Sequence, residues 1–499
     1  MAKLMQKGDS GAAVVKLQQS LILLGFALPR FGADGHLGDE TLTAVARFRA
    51  ERGLLPDPDD VPGLNWRDGD RSRTSVQPSQ LVDLDALPDP VHDAFFDEFE
   101  ELNLAWYVTQ PGVVAETSRG CWWGAKKHCT FCGLNGHTMS YRAESGARAI
   151  RQIVGAVERH QAPNVVVVDN ILDRAYFEDV LPQLAALDYD LSIFYEIRAD
   201  LSADEIRALA AAGVRIVQPG IESLGTNTLR LMRKSTTGAR QVQVLRDLHN
   251  ESVTVAWNYL YGFPGEEWQR DYAPIVRQLR HLVHLAPPSS SRIDLQRFSP
   301  NHTDPSLGFR PIGPPALAEC LHPGLSRDQV MRVTYRFSAP QQGCTDDEVV
   351  PLQAAIAAWQ DGHRGSSLMW RRTPDGEAIV IRDRRAYHDP ADFLLDPLES
   401  AIHDLVGVPM SPATIVRSLV DAGRSVDLAE AERVLEGLMG AGLVFSDGSS
   451  CVRLATEARA AMRPSPASLM TLRAATASSS GQRNSWIRLP RLPPAVTSK

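Results

Sequence analysis

Three cysteines, Cys121, Cys129 and Cys132, stand in the run GCWWGAKKHCTFCG, with seven residues in the first gap and two in the second. Thiolates crowded on one short, glycine-flanked loop are ligands for iron–sulfur clusters, which proteins bind through cysteine sulfur. Three thiolates hold three irons of a cubane and leave a fourth without a protein ligand. An open coordination position is where a metal site does chemistry on a small molecule. The competing reading is a structural zinc site completed by His128 or His137. The absence of a second CxxC knuckle counts against it.

Further polar residues fall at regular places around this loop. From about residue 111 to 299, apolar strands (GVVAETS, NVVVVDN, LSIFYEI, VRIVQPGIE, VTVAWNYLYG, RIDLQRFS) alternate with helical segments. Ser202 and Glu205 make a capping box for one helix. Six strands separated by helices predict a parallel sheet, curled by right-handed crossovers into a barrel or partial barrel. In such barrels the site lies at the carboxyl ends of the strands. The cysteines follow strand one. Asp169 and Asn170 end strand two, Glu196 and Arg198 strand three, Glu222 and Ser223 strand four, and Asn301 and His302 follow strand six. Taken singly, each could be an ordinary strand-end cap or ion pair. Together they predict convergence over one barrel mouth.

The rest of the 499 residues divides by pattern. Residues 1–56 carry helical spacing (Leu17, Leu21, Leu24, then Val45 and Phe48) and the turn signals GDSG and DG. Residues 57–80 read as a linker and 81–310 as the barrel domain. In 311–456 a β-hairpin (SSLMWRR, TPDG, EAIVIRD) precedes three helices and LVFSDGSSCVRL, a pattern like a winged helix, while 311–365 has no clear periodicity. Residues 457–499 are rich in Ala, Ser and Pro and read as a disordered tail. A net charge of −8 disfavours nucleic acid as partner. No apolar run suits a membrane span or secretory signal, which points to the cytoplasm. Cys320, Cys344 and Cys451 are scattered and read as idle thiols.

The sequence resembles the radical SAM superfamily, named for S-adenosylmethionine. Within it, the chain looks like the group that matures ribosomally made, post-translationally modified peptides. CWWGAKKHCTFCGLNG, VVVVDNILD, IFYEIRADLS, VQPGIESLGTNTLRLMRKSTTGARQ, WNYLYGFPGE and DLQRFSPNHTDP carry the resemblance over about residues 81–310. The seven-residue first gap is itself a mark of that group. The resemblance implies an α/β fold with a partial (β/α)6 barrel. It implies a [4Fe–4S] cluster on Cys121, Cys129 and Cys132, with SAM chelating the open iron. Phe131 would lie near adenine, and Asp169 and Asn170 near the methionine amine. Glu196, Arg198, Glu222 and Ser223 would be candidates for ribose or carboxylate contacts. A precursor peptide and an external one-electron reductant are the implied partners. Many relatives carry an N-terminal cobalamin domain. No DxHxxG motif precedes residue 110 here, which leaves cobalamin, and with it C-methylation, open. Residues 1–56 resemble a peptidoglycan-binding-like three-helix domain, expected to dock peptide rather than cell wall. The alternatives are a radical SAM enzyme acting on a small-molecule natural product and a zinc-stabilised wall-binding protein.

Overall fold

The computed structural model describes residues 5, 8–51, 64–74, 83–104, 108, 111–136 and 139–458. The chain divides into two units, 1–82 and 83–499. The expected tail beyond 458 and the candidate ligand His137 lie outside the described residues.

In the first unit, α1 (Ala12–Leu23) and α2 (Asp39–Glu51) bury Leu21, Phe26, Leu28 and Ala44. Gln18 ties the intervening turn together. Its amide donates to Asp34 Oδ1 (2.7 Å) and Thr41 Oγ1 (2.9 Å), and its carbonyl accepts from Gly35 N (2.8 Å). Within the segment read as a linker, β1 (Asn65–Asp68) and β2 (Arg71–Thr74) pair as an antiparallel hairpin. Its strands are almost wholly exposed and polar, so no hydrophobic pattern announced it.

The second unit opens with α3 (Asp93–Glu101) and β3 (Gly112–Ala115). Then come β4 (Ser118–Arg119), α4 (Trp122–Lys126), β5 (Arg142–Ala143), α5 (Gly146–His160) and β6 (Asn164–Val167). They are followed by α6 (Val180–Ala185), β7 (Ser192–Ile197), α7 (Ala203–Ala211), β8 (Val214–Pro219), α8 (Thr226–Leu231), α9 (Gly238–Asn250) and β9 (Thr254–Val255). The strands β3, β6, β7, β8 and β9 form one parallel sheet in sequence order, as right-handed crossovers dictate. In β3, β6 and β7 every second residue is buried, for instance Val113, Val165 and Ile193, and in β8 Val214 and Val217 are buried. The alternate residues Val114, Val166 and Ile216 stay exposed. The predicted capping box of Ser202 and Glu205 opens α7.

The sheet continues through a bridge between Glu222 and Tyr259 into β10 (Asn258–Tyr261), which pairs in parallel with β11 (Ser289–Arg292) after α10 (Ala273–Leu279). The sixth strand therefore differs from the expected RIDLQRFS. It is the polar run SSSR, and the apolar segment after it turns away to form β12 (Leu295–Gln296). That strand pairs antiparallel with β13 (Arg336–Phe337). Between them lie α11 (Pro300–Thr303), α12 (Ala316–Leu321) and α13 (Arg327–Val333).

The chain then forms α14 (Asp346–His363) and the strands β14 (Leu368–Arg372), β15 (Ile379–Asp383) and β16 (Ala391–Leu395). Next are α15 (Pro397–Leu405), α16 (Pro412–Asp421), α17 (Leu428–Gly440), the hairpin β17 (Val444–Ser446) and β18 (Cys451–Arg453), and β19 (Thr456–Glu457). The last sheet has the order β16-β15-β14-β19. One hydrophobic core runs from Val113 to Ala455, so these elements are part of the barrel unit and not a separate body.

Candidate active site

The cysteine loop leaves the sheet after β4. Cys121 caps the short α4, with its Sγ accepting from Gly124 N at 3.3 Å. Gly120 has a φ of 88°, and a Cβ there would lie 2.2 Å from the Ser140 carbonyl oxygen. Only glycine fits this crossing. At the other end, Gly133 donates to Gln296 Oε1 (3.0 Å), and its own Cβ would meet the Arg297 carbonyl oxygen at 2.2 Å. Between them, Thr130 N donates to Met232 O (3.2 Å) and Asn301 N to Thr130 O (2.8 Å). The loop is thus pinned to α8, β12 and α11.

Cys121, Cys129 and Cys132 all line one cavity of about 410 Å³. Phe131, Asn170, Glu196, Arg198 and Glu222 share its walls. The topology therefore joins the loop after the first strands to the ends of β6, β7 and β8. Asp169 and Ser223, expected beside the same ligand, are not among the residues lining this cavity. Asp169 is fully buried and accepts from Thr117 N (2.7 Å) and Thr117 Oγ1 (2.5 Å), so it fastens the chain after β3. Burial pushes its carboxyl up to about 6 against those bonds. Ser223 is also fully buried, and its Oγ accepts from Gly225 N (3.1 Å) to close a turn. Asn301 and His302 sit behind the loop, His302 stacked on Phe337 at 4.6 Å. They are absent from the cavity walls as well.

Charge in the cavity is arranged in two ways. The Arg198 guanidinium lies 3.4 Å from the centre of the Trp123 ring, donates to Lys234 O (2.9 Å) and pairs with Asp200. Glu222 pairs with Lys234 at 3.1 Å. Glu196 lines the same cavity. Burial, and then the nearby Glu222 and Asp169 carboxylates, push Glu196 up to about 7. Sequence reading missed Lys234, which reaches the cavity from the turn after α8, and Gln218, Asn258, Arg292 and Arg336, whose positions depend on strand pairing.

The donor set fits an iron–sulfur cluster. Burial raises the Cys129 thiol and pushes Cys132 up to about 12, and a bound metal would favour the thiolate form of both. His128, the described zinc-ligand candidate, instead places Nε2 2.8 Å from the Cys132 carbonyl oxygen. A cubane carries its cysteines on separate irons, and all three thiols face one cavity.

A parallel sheet with a three-cysteine loop and a polar cavity at its carboxyl edge defines an α/β protein built to hold a cluster and a small molecule together. The chain carries a Radical SAM superfamily domain: residues 115–272 match that family's model. Members of the family use a [4Fe–4S] cluster and SAM. A probable N-acetylmuramoyl-L-alanine amidase of Bacillus licheniformis is 46% identical over 54 residues, 11% of this chain and 15% of the amidase. An uncharacterized methyltransferase of Pyrococcus horikoshii is 20% identical over 232 residues, 46% of this chain and 47% of that protein. The chain thus spans less than half the length of either relative. Among solved structures, the radical SAM methyltransferase TsrM of Kitasatospora setae, with tryptophan substrate and aza-SAM bound, is 15% identical with a TM-score of 0.42. The match covers 64% of this chain and 65% of that one, a likeness too loose to carry an argument. Among the described residues, no helix is long and apolar enough to cross a membrane.

Proposed function

We propose that the chain is a radical SAM enzyme that modifies a C–H position of a ribosomally made precursor peptide, by C-methylation or another radical modification. The observation that carries this reading is the meeting of Cys121, Cys129 and Cys132 with Phe131, Asn170, Glu196, Arg198 and Glu222 around one cavity. Cys121, Cys129 and Cys132 would hold a [4Fe–4S] cluster, which would supply the one-electron reductive cleavage of SAM. The protein's part is to bind, orient and exclude water. Phe131, held edge-on by Phe263 at 5.8 Å, offers an aromatic face for adenine. Asn170, Glu196 and Glu222 offer the polar contacts that an amine and a ribose require. Arg198, fixed by Trp123 and the Lys234 carbonyl, offers its charge to a carboxylate.

The peptide as substrate is supported by the resemblance of the cysteine spacing and strand-end words to the peptide-maturing group. The small N-terminal unit would help dock that peptide, and an external one-electron reductant would supply the electron. Whether cobalamin takes part decides between C-methylation and the other radical modifications. Anaerobic reconstitution tests it. The intact protein should hold about four irons per chain and release 5′-deoxyadenosine under reduction. Cys129→Ala should lose both while the N-terminal unit stays folded. Deoxyadenosine release by that variant would refute the assignment.

A further inference from the structure

Beside the cysteine loop lies a second cavity of about 250 Å³, walled by Glu116, Ser118, Arg119, Ser140, Arg142 and Asn170 among others. Asn170 belongs to the walls of both cavities, so the two are neighbours. The pairing of β4 with β5 sets Arg119 directly opposite Arg142. Like charges in that relation repel. Arg119 is neutralised, its Nε and Nη2 donating to Glu116 Oε2 at 3.0 and 2.7 Å. Arg142 is not. Among the described residues it has no ion-pair partner, and its buried Nε and Nη1 have no hydrogen-bond acceptor.

A guanidinium keeps its charge at any ordinary pH, and buried donors without acceptors are unfavourable. The β4–β5 hairpin needs no charge there, because its register is held by the backbone. No acceptor meets Nη2 among the described residues either, and the planar fork that Nη2 makes with Nε or with Nη1 matches one chemistry above others, a carboxylate bound through two parallel N–H bonds. Glu116, in the same cavity, turns its Oε2 to Arg119 and makes no ion pair with Arg142. We propose that this second cavity is a carboxylate subsite. Arg142 holds a carboxylate of the peptide substrate and thereby fixes which residue is presented to the neighbouring cavity. This deepens the peptide reading above and rests on it.

The test uses the full-length protein and ligand-observed NMR. N-acetylglycine presents a terminal carboxylate, N-acetylaspartic diamide a side-chain carboxylate, and N-acetylglycinamide is the neutral control. At least one carboxylate should bind ten-fold or more tightly than the neutral control, and whichever binds better identifies the source. Arg142→Gln should weaken that binding ten-fold or more, with Arg142→Lys in between. The Arg142→Gln variant should melt no lower than wild type, because the guanidinium makes no bond to any described residue. Equal binding of carboxylate and amide, tighter binding of inorganic phosphate, or a marked loss of thermal stability in Arg142→Gln would each overturn the proposal. A loss of SAM affinity in that variant would overturn it too, by assigning the guanidinium to the cofactor. Failure of carboxylate binding in a protein that cleaves SAM removes this subsite alone. Carboxylate binding in a protein that never cleaves SAM overturns the assignment to a substrate.

Discussion

Glu222 is the residue on which the cavity's charge turns. Its φ of 61° is a left-handed backbone that side-chain-bearing residues rarely adopt. Its carboxylate is held by Lys234, whose Nζ also donates to Gly220 O at 2.6 Å. Both side chains are mostly buried, with 17% and 12% exposure. Removing one partner of such a pair leaves a charge with nothing to meet it. We expect Lys234→Met to lower stability by about 3–5 kcal/mol and Lys234→Met with Glu222→Gln to recover most of it, measured by chemical denaturation. Equal losses in the single and double variants would show that the pair does not act as a unit. At this scale the sequence was half legible. Glu222 stood out because it ends an apolar strand. Lys234 did not, because only the turn between α8 and α9 carries it back over the sheet. Asp169 and Ser223 had the same strand-end signal as Asn170 and Glu222, yet they point their hydrogen bonds into the fold. Sequence position gave the end of the strand but not the side of the wall.

Among the elements, the cysteine loop depends on glycines more than on its flanking strands, which are only two residues long. Gly120→Ala forces a Cβ onto the Ser140 carbonyl and a strained φ together. It should halve, or reduce further, the iron bound on reconstitution, with the far-ultraviolet circular dichroism unchanged. Gly155→Ala is the matching control. Gly155 sits inside α5 with nothing within 4 Å of a new Cβ, so that change should raise stability by about 0.5–1 kcal/mol. Full iron loading in Gly120→Ala would show the loop to be more forgiving than its geometry implies. Strands β3, β6, β7 and β8 were legible because their apolar runs alternate with helical ones. The sixth was not, since Ser289–Arg292 has no apolar signal and is made a strand by pairing with β10. Helix α14 was hidden by Pro351, although its capping box, Thr345 with Glu348, is a start signal that the sequence carries openly.

Across the whole molecule, several histidines are buried in neutral form. His403 is fully buried with neither ring nitrogen hydrogen-bonded. Burial first, and then Arg453, Arg246 and Arg372, bring it down to about 3, and burial brings His281 to about 4. The unfolded chain takes up these protons below about pH 6.5, and the folded chain does not. Above that pH they carry no protonation penalty, and stability erodes as pH falls from there toward the folded values. His403→Leu should therefore stabilise the protein by about 1–3 kcal/mol by removing an unsatisfied polar group. The gain in melting temperature should be larger at pH 5 than at pH 8. A gain independent of pH would mean that His403 does not titrate between these states.

Helix α9 carries a buried pair, Arg246 with Asp247, whose remaining acceptors come from far along the chain. Arg246 donates to the carbonyls of Gly407 (2.7 Å) and Arg453 (3.0 Å), while Ala239 N at the start of the helix donates to Asp447 (3.0 Å). During synthesis, the ribosome delivers α9 long before it delivers those partners. The nascent barrel must wait with open donors until residues near 453 emerge, which makes the half-made chain a natural client for chaperones.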